Sequence, residues 1–210
     1  WGPNSKILAE IAVNRIKNNF KTRSDFTGYH YNLDFEKYRV ETKALSMLAD
    51  SLNIFRGNKV VTDKIEECSF DFYRGFLRGF FDAEGCVNMH SGQVSLRNTD
   101  KQLIQISQFL LLRCGIISSF YTEKKKIKNW NDSHGLFINK HRFLDKYRSL
   151  VGFQSRVKSD KLSALISKKK EVKDHTKYND VNVEPQSVLE IKTVSAKDEY
   201  LYDLEVDHPH

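Results

Sequence analysis

The stretch Phe76-Leu77-Arg78-Gly79-Phe80-Phe81-Asp82-Ala83-Glu84-Gly85 decides how the rest of the chain is interpreted. It ends an aromatic-rich segment that predicts a helix over about 70–84, closed by Gly85, because glycine commonly follows the last residue of a helix. Gly75 and Gly79 are four residues apart and share one face of that helix, which favours the close approach of a second helix. A glycine inside a helix costs about 1 kcal/mol relative to alanine, so this pair indicates a compensating helix–helix interface.

Two carboxylates, Asp82 and Glu84, close the same helix. The C-terminal end of a helix carries partial negative charge, so acids there are unfavourable by about 0.3–1 kcal/mol each. A bound cation would make acids at this helix end favourable. Carboxylate oxygens beside a basic surface suit Mg²⁺ that is shared with a phosphate. The alternative is a solvated helix end with acids placed there by chance, which a bare D-x-E-G pattern favours when it stands alone.

The residues that follow predict an α+β unit. A hairpin surrounds Ser91-Gly92, and a helix capped by Thr99 or Asp100 ends at Gly115. A second hairpin and two amphipathic helices complete the order αββαββαα by residue 170. Such a unit builds a four-stranded antiparallel sheet that is covered by helices on one face and open on the other.

The charge is concentrated in one part of the chain. The 210 residues carry a net charge of +7. Residues 113–170 hold 15 basic and 4 acidic side chains, a net +11, whereas 171–210 carry −6. A block this basic predicts a polyanionic partner, most commonly nucleic acid, with a solvated lysine-rich surface as the alternative.

Cysteine usage and hydropathy indicate the compartment. Cys68, Cys86 and Cys114 are odd in number and form no C-x-x-C pair, which argues against a disulfide framework or a structural zinc site. The apolar runs are far shorter than the roughly 20 residues that a membrane span needs. We therefore expect an intracellular protein of the cytoplasm, nucleoid or nucleus, with no membrane partner.

Leu77 to Gly85 resembles the LAGLIDADG motif of homing endonucleases. The stretch keeps the motif's Leu, Gly, Asp, Ala and final Gly, while Glu84 replaces the second Asp and Arg78 replaces Ala. Residues 100–116 and 151–162 are similar to the segments that follow in that family, so the resemblance covers about 68–170. It implies an αββαββα fold and a site-specific double-strand DNA endonuclease of intein homing that depends on Mg²⁺ or another divalent cation.

The resemblance also implies roles for individual residues. Glu84 matches the metal-binding acid, with the Gly85 carbonyl as a second ligand, and Asp82 matches an acid that is more often structural. Arg156 and Lys158 are the candidates for a basic residue near the scissile phosphate. Arg97 matches a polar position that orients water or phosphate.

On this interpretation the open face of the sheet enters the DNA major groove, where all four base pairs can be distinguished. Alternation along the first hairpin proposes five base-contacting residues. A basic stretch in the second hairpin would follow the DNA backbone and supply affinity rather than sequence information. The base-contacting set is Asn88, His90, Gln93, Ser95 and Arg97, and the backbone set is Lys124, Lys125, Lys126 and Lys128.

Cutting both strands of a duplex needs two active sites, but one clear motif is present. One solution is a homodimer through Gly75 and Gly79. Another is that residues 1–67, a helical and mixed region, form a degenerate or truncated first half, or that an earlier motif precedes residue 1. The predicted organisation is then 1–67, the endonuclease unit 68–170, a linker 171–186 and a small all-β segment 187–210.

The final segment resembles the C-terminal strands of inteins. Val188 to Val194 and Tyr200 to His210 carry the resemblance. Asp203 matches an acid, and His208 or His210 a histidine, that assist cleavage at the C-terminal splice junction. Residue 1 is neither Cys nor Ser and the last residue is not Asn, so splicing would need an N-terminal intein partner.

Three classes of function remain open on the sequence. The first is the intein-homing endonuclease. The second is a DNA- or RNA-binding protein of the same fold that does not cut, such as a regulator or a maturase. The third is an intein fragment that is active only in splicing.

Overall fold

The computed structural model describes residue 2 and residues 5–52, 63–124 and 131–168. Three predicted features lie outside these described residues: most of the basic stretch at 125–130, the linker 171–186 and the intein-like segment 187–210. No helix among the described residues has the length and apolar composition needed to cross a membrane.

The described residues form helices and antiparallel strands in an α+β arrangement. The elements are α1 (Lys6–Asn19), β1 (Tyr29–Asn32), β2 (Lys37–Val40), α2 (Lys43–Ser51), α3 (Asp63–Glu66), α4 (Phe70–Glu84), β3 (Gly85–Asn88), β4 (Gln93–Asn98), α5 (Lys101–Arg113), β5 (Ser119–Glu123), β6 (Ser133–Ile138), α6 (His141–Leu150) and α7 (Arg156–Lys168). From residue 70 onward this is the predicted αββαββαα order, which is confirmed.

The four strands β3 to β6 form one antiparallel sheet in the order β3-β4-β6-β5. Alternate residues of these strands, such as Val94, Leu96 and Leu136, are buried in the core with α4, α5 and α6. Because side chains alternate between the two faces of a strand, the intervening residues form an open face. The predicted four-stranded sheet with helices on one side is therefore present.

Helix α4 begins and ends at residues suited to those positions. The Ser69 side chain accepts a hydrogen bond from the Phe72 N–H and so caps the helix start. Gly85 at the other end has φ −82°, so it is not there to supply a left-handed conformation. Glycine is needed because a Cβ at this position would lie 2.6 Å from the Phe81 carbonyl oxygen. Close approach, rather than a left-handed cap, explains this residue.

The caps of α5 agree with the sequence interpretation. The Asp100 carboxylate accepts a hydrogen bond of 3.0 Å from the Leu103 N–H, which selects Asp100 rather than Thr99 as the cap. Gly115 has φ +67°, the left-handed conformation that ends many helices. These two residues set the length of the helix that supports the centre of the sheet.

Two segments of the chain repeat one order of elements. We call residues 6–51 the first repeat, residues 101–150 the second repeat, and residues 70–98 the motif segment. Each repeat consists of a helix, an antiparallel hairpin and a second helix. In the first repeat, β1 and β2 pair with each other and pack on α1. The N-terminal region therefore has the same order of elements as the second repeat: a helix, a hairpin and a helix.

Candidate active site and nucleic-acid interface

Glu84 lies at the point where α4 passes directly into the sheet. It is the last residue of the helix, and its side chain is exposed. Gly85 follows it directly and pairs with Leu96, the residue before Arg97 on β4. Arg97 is exposed on the open face of the sheet. The end of α4 and Arg97 therefore lie at the same edge of the sheet.

Asp82 makes the contacts of a structural residue. Its two carboxylate oxygens accept hydrogen bonds from the Gln154 N–H at 2.8 Å and the Ser155 N–H at 3.0 Å. These two residues lie immediately before α7. The carboxylate therefore holds the start of α7 against the end of α4.

Lys158 reaches the same helix end from α7. Its Nζ donates hydrogen bonds to the carbonyl oxygens of Asp82 and Gly85, both at 2.7 Å, and to that of Phe81 at 3.2 Å. Burial lowers the pKa of Lys158 from its ordinary value, while nearby acidic groups, Asp82 first, oppose the shift. The ammonium neutralises the partial negative charge that the helix end carries.

The other basic candidate occupies a different environment. The Arg156 side chain is 94% exposed, and its guanidinium lies 3.8 Å from the Asp160 carboxylate one turn later on α7. Of the two basic candidates, the structure brings Lys158 to the end of α4 and leaves Arg156 on the solvent side of α7.

The oxygen atoms at the end of α4 are ligands of the type that a hard divalent cation prefers, since they belong to an exposed carboxylate and to backbone carbonyls. Glu84 provides the carboxylate, and the Gly85 carbonyl already accepts a bond from Lys158. Among the residues that the structure describes, no group of three or more His, Cys, Asp and Glu side chains could hold a metal ion. This edge of the sheet supplies a few ligands and not a closed cage.

Four of the five predicted base-contacting residues share the open face. Asn88 pairs with Gln93, and Ser95 and Arg97 follow at intervals of two residues on β4. His90 lies in the turn beyond β3, where its N–H donates a 2.9 Å hydrogen bond to the Asn88 Oδ1. His90 therefore lies beyond the end of β3, and its contact with DNA stays a prediction.

The remaining predicted contacts differ in accessibility. Ser95 is only 9% exposed, since its cross-strand neighbour Phe137 lies beside it. Lys124 is exposed at the end of β5. Lys125, Lys126 and Lys128 lie outside the described residues.

The β5–β6 hairpin adds residues that the sequence interpretation missed. Tyr121 on β5 and Phe137 on β6 have ring centroids 6.0 Å apart on the open face. Gly135 lies between Tyr121 and Arg97 in the strand pairing. Extending the alternation through both strands of this hairpin would have found them.

The predicted helix–helix interface is exposed in the single chain. Gly75 and Gly79 are both exposed, and a Cβ added to either would meet no atom within 4 Å. Beside them a groove of about 170 Å³ is lined on its other side by Leu8, Ile11 and Ala12 of α1. Each glycine therefore has room for an added methyl group, in a groove that α1 already borders.

Arg78, which departs from the motif pattern, has a clear structural use. Its Nε donates a 2.6 Å hydrogen bond to the Val151 carbonyl, and Arg74 one turn earlier does the same to the Leu150 carbonyl at 2.6 Å. Both arginines satisfy carbonyls that the end of α6 leaves free. The substitution thus ties α4 to α6 and leaves the acidic end of the motif unchanged.

Comparison with known proteins identifies the class of this fold. Residues 71–152 match the family model of the LAGLIDADG-like domain. The motif and the order of elements in this stretch agree with that match.

Solved structures agree with this assignment of the fold. A structure of mesophilic variants of the homing endonuclease I-DmoI is similar with a TM-score of 0.51 at 16% identity, covering 72% of this chain and 76% of the other. The crystal structure of I-DmoI in complex with DNA and Mn is similar with a TM-score of 0.50 at 17% identity, covering 72% and 75%. The architecture is therefore that of a LAGLIDADG homing endonuclease.

Similar sequences occur within much larger proteins of different names. A glutamine–fructose-6-phosphate aminotransferase of Methanocaldococcus jannaschii is 30% identical over 72% of this chain but only 14% of its own length. A DNA polymerase of a Thermococcus species, strain GE8, is 28% identical over 73% of this chain and 9% of its length. A probable translation initiation factor IF-2 of Thermococcus kodakarensis is 32% identical over 44% of this chain and 7% of its length. The chain thus spans a small fraction of each of these relatives.

Proposed function

We propose that this chain is the DNA-cutting part of an intein-type homing element, a site-specific endonuclease that hydrolyses phosphodiester bonds in double-stranded DNA with a divalent cation. The observation that carries the proposal is the register of β3 with β4, in which Gly85, the residue after Glu84, pairs with Leu96, the residue before Arg97. The acid that closes α4 and a cation that can contact a phosphate therefore belong to the same edge of the sheet.

Each residue at the edge then has a distinct task. Glu84, with the Gly85 carbonyl, would hold Mg²⁺, which lowers the pKa of attacking water and neutralises phosphate charge when bound. Arg97 contacts the phosphate, and its fixed charge favours the transition state over the ground state. Lys158 keeps the helix end in place and adds positive charge beside it, whereas Asp82 positions α7.

The open face is suited to a duplex. Asn88, Gln93 and Arg97 present amide and guanidinium groups, which are the side-chain types that read bases in the major groove. Lys124 and the neighbouring lysines would contact the DNA backbone, where charge neutralisation supplies salt-dependent affinity. The strongly basic composition of residues 113–170 supports this assignment.

Cleavage of the second strand calls for a second site. Gly75 and Gly79 are exposed and carry no side chain, which would let another helix backbone approach α4 closely and supports assembly through α4. We propose a second copy of this chain as that partner. The alternative partner is a motif helix that precedes the first repeat in the same protein. The first repeat supports this alternative because it has the element order that follows the motif segment in the second repeat.

The pattern of relatives supports the homing context. An aminotransferase, a DNA polymerase and an initiation factor have unrelated names, yet each contains a short segment similar to this chain. A mobile insert placed in different host genes would produce this distribution. Asp203, His208 and His210 would then act in splicing together with an N-terminal intein partner.

The experiment is a selection of cut molecules from a plasmid library with randomised inserts, in Mg²⁺ and in EDTA. We expect linear plasmids sharing one sequence with the wild-type chain, and none in EDTA. Glu84→Gln should abolish the selection, whereas Glu67→Gln, an exposed acid just before α4, should leave it intact.

Two results would count against the proposal. Sequence-specific retention of DNA without any cut molecules would favour a non-cleaving binding protein. No DNA retention at moderate salt, together with peptide ligation once an N-terminal intein segment is supplied, would favour a splicing fragment.

A further inference from the structure

One row of residues crosses the open face from the predicted active site to the far strand. Arg97 on β4 pairs with Gly135 on β6, and Gly135 pairs with Tyr121 on β5. At the other end of the row, Arg97 follows Leu96, which pairs with Gly85, the residue after Glu84. The row therefore runs from an aromatic ring across three strands to the edge of the sheet where α4 ends.

The middle of this row requires glycine because of the ring. A Cβ at Gly135 would lie 2.5 Å from the Tyr121 Cζ and 2.6 Å from its hydroxyl oxygen. The far end of the Tyr121 side chain thus lies flat on the backbone of β6, reaching across it towards β4. Glycine in a strand interior often marks such a close approach.

Arg97 lies at the end of that ring. Its guanidinium carbon is 5.6 Å from the Tyr121 ring centroid, within the range of a cation–π contact. Its Nη1 is 3.8 Å from the Glu123 carboxylate, two residues further along β5. An arginine whose side chain is 59% exposed is thus given two neighbours that restrict its direction.

We propose that Tyr121 is a positioning residue for the cleavage reaction, which acts by lying on Gly135 and holding the Arg97 guanidinium on the open face, at the edge of the sheet where α4 ends. Glu123 is the counter-ion of Arg97 in the absence of DNA, and a backbone phosphate replaces it when DNA binds. This inference rests on the proposed endonuclease function. It adds a residue from the second hairpin, which neither the motif nor the basic stretch points to.

A purely structural role for the ring would have different consequences. Tyr121 and Phe137 could form an aromatic patch that stabilises the open face, and Arg97 would then act independently of it. In that case loss of the ring would lower stability without changing the rate of the reaction. The two roles are therefore separable by measuring both quantities.

The test uses the full chain with four variants: Tyr121→Ala, Tyr121→Phe, Gly135→Ala and the double variant Gly135→Ala/Tyr121→Ala. Single-turnover cleavage is measured at saturating enzyme on a plasmid isolated in the selection above. Tyr121→Ala should slow cleavage roughly three- to fivefold, the size of an exposed cation–π contact, and Tyr121→Phe should restore the wild-type rate. Gly135→Ala should slow cleavage similarly, because its methyl group displaces the ring.

The double variant is the sharper control. If Gly135→Ala acts only by moving the ring, it should have no further effect once the ring is absent, so the two changes should be non-additive. Additive losses would overturn the proposal, as would wild-type rates in Tyr121→Ala and Gly135→Ala.

A second measurement does not depend on cleavage. The Arg97 Nε–H signal in the nuclear magnetic resonance spectrum of the DNA-free chain should be perturbed in Tyr121→Ala and Gly135→Ala but preserved in Tyr121→Phe. Glu123→Gln should tighten binding to a short random-sequence duplex at low salt. An unchanged Arg97 signal in Tyr121→Ala would refute the positioning role even if the wild-type chain cut no DNA. A perturbed signal from a chain that cuts no DNA would support the contact between Tyr121 and Arg97 and would refute only the endonuclease function.

Discussion

The hairpin of the first repeat has its three tyrosines on one face, whereas the hairpin of the second repeat divides its aromatic residues between both faces, with Phe120 against the core. In the first repeat, the Tyr38 ring lies 5.5 Å from Tyr29 and 4.8 Å from Tyr31. This cluster faces α1, since the Tyr29 hydroxyl donates a 3.2 Å hydrogen bond to the Glu10 carboxylate. In the second repeat, Tyr121 lies on the face away from the helices.

The difference follows from what each hairpin pairs with. Strand β6 pairs with β4 of the motif segment, so the second hairpin shares a four-stranded sheet and its core. Among the described residues, β1 and β2 pair only with each other, and an isolated two-stranded hairpin is marginal in water. The first repeat therefore needs its aromatic residues for packing, whereas the second repeat, supported by the larger core, can leave Tyr121 on the open face.

The largest effect should come from removing an aromatic residue of the first repeat. We expect Tyr38→Ala to lower the free energy of unfolding of this part by about 2–3 kcal/mol, because the ring packs within the cluster and the hairpin has little other support. Hydrogen exchange of the β1 and β2 amides measures this. Tyr121→Ala, its counterpart on the open face, should cost less than about 1 kcal/mol, and equal losses at the two sites would contradict the comparison.

A somewhat smaller loss of stability should come from removing the contact between Lys158 of α7 and the end of α4. Lys158→Met removes three hydrogen bonds to carbonyls at the end of α4 and should lower the free energy of unfolding by about 1–2 kcal/mol. Urea denaturation measures the change.

The matched control for Lys158 lies in the first repeat. Arg15 on α1 donates one exposed hydrogen bond of 3.1 Å to the Gln154 side chain. Arg15→Ala should cost less than about 0.5 kcal/mol, as is usual for an exposed polar contact. A larger loss for Arg15→Ala than for Lys158→Met would show that the first repeat, rather than α7, fixes the end of the motif helix.

The only stabilising effect should arise on the face of α4 beside the first repeat. Gly79→Ala should raise the stability of the single chain by about 0.5–1 kcal/mol, since the added methyl group meets no atom and alanine favours the helix. Analytical ultracentrifugation should show weaker self-association of the same variant. A destabilised single chain would mean that α4 already has a close neighbour there.

The sequence predicted the elements from residue 70 onward because each carries a local signal. Asp100 and Gly115 mark the ends of α5, and the apolar periods of α4 and α6 are long enough to be read without the structure. The hairpin at Tyr29 had a weaker signal, since four-residue strands with few aliphatic residues alternate too briefly. The pairing of β1 with β2 therefore had to be observed.

Contacts between distant residues explain the rest of what was missed. Lys158 caps a helix that ends more than 70 residues earlier, and Tyr121 crosses Gly135 only because of the strand register. Neither distance nor register can be read from residue types alone. The motif was enough to locate the acid at Glu84. The residues near it on the open face could be identified only from the strand register of the sheet.

The central claim is that Glu84 holds a divalent ion against a backbone phosphate at the edge of the open face. The most direct measurement is Mn²⁺ binding, followed by electron paramagnetic resonance, with duplex DNA of the selected sequence and with the wild-type, Glu84→Gln and Glu67→Gln chains. We predict DNA-dependent Mn²⁺ binding by the wild-type and Glu67→Gln chains and its loss in Glu84→Gln. Equal Mn²⁺ binding by all three chains would contradict the claim.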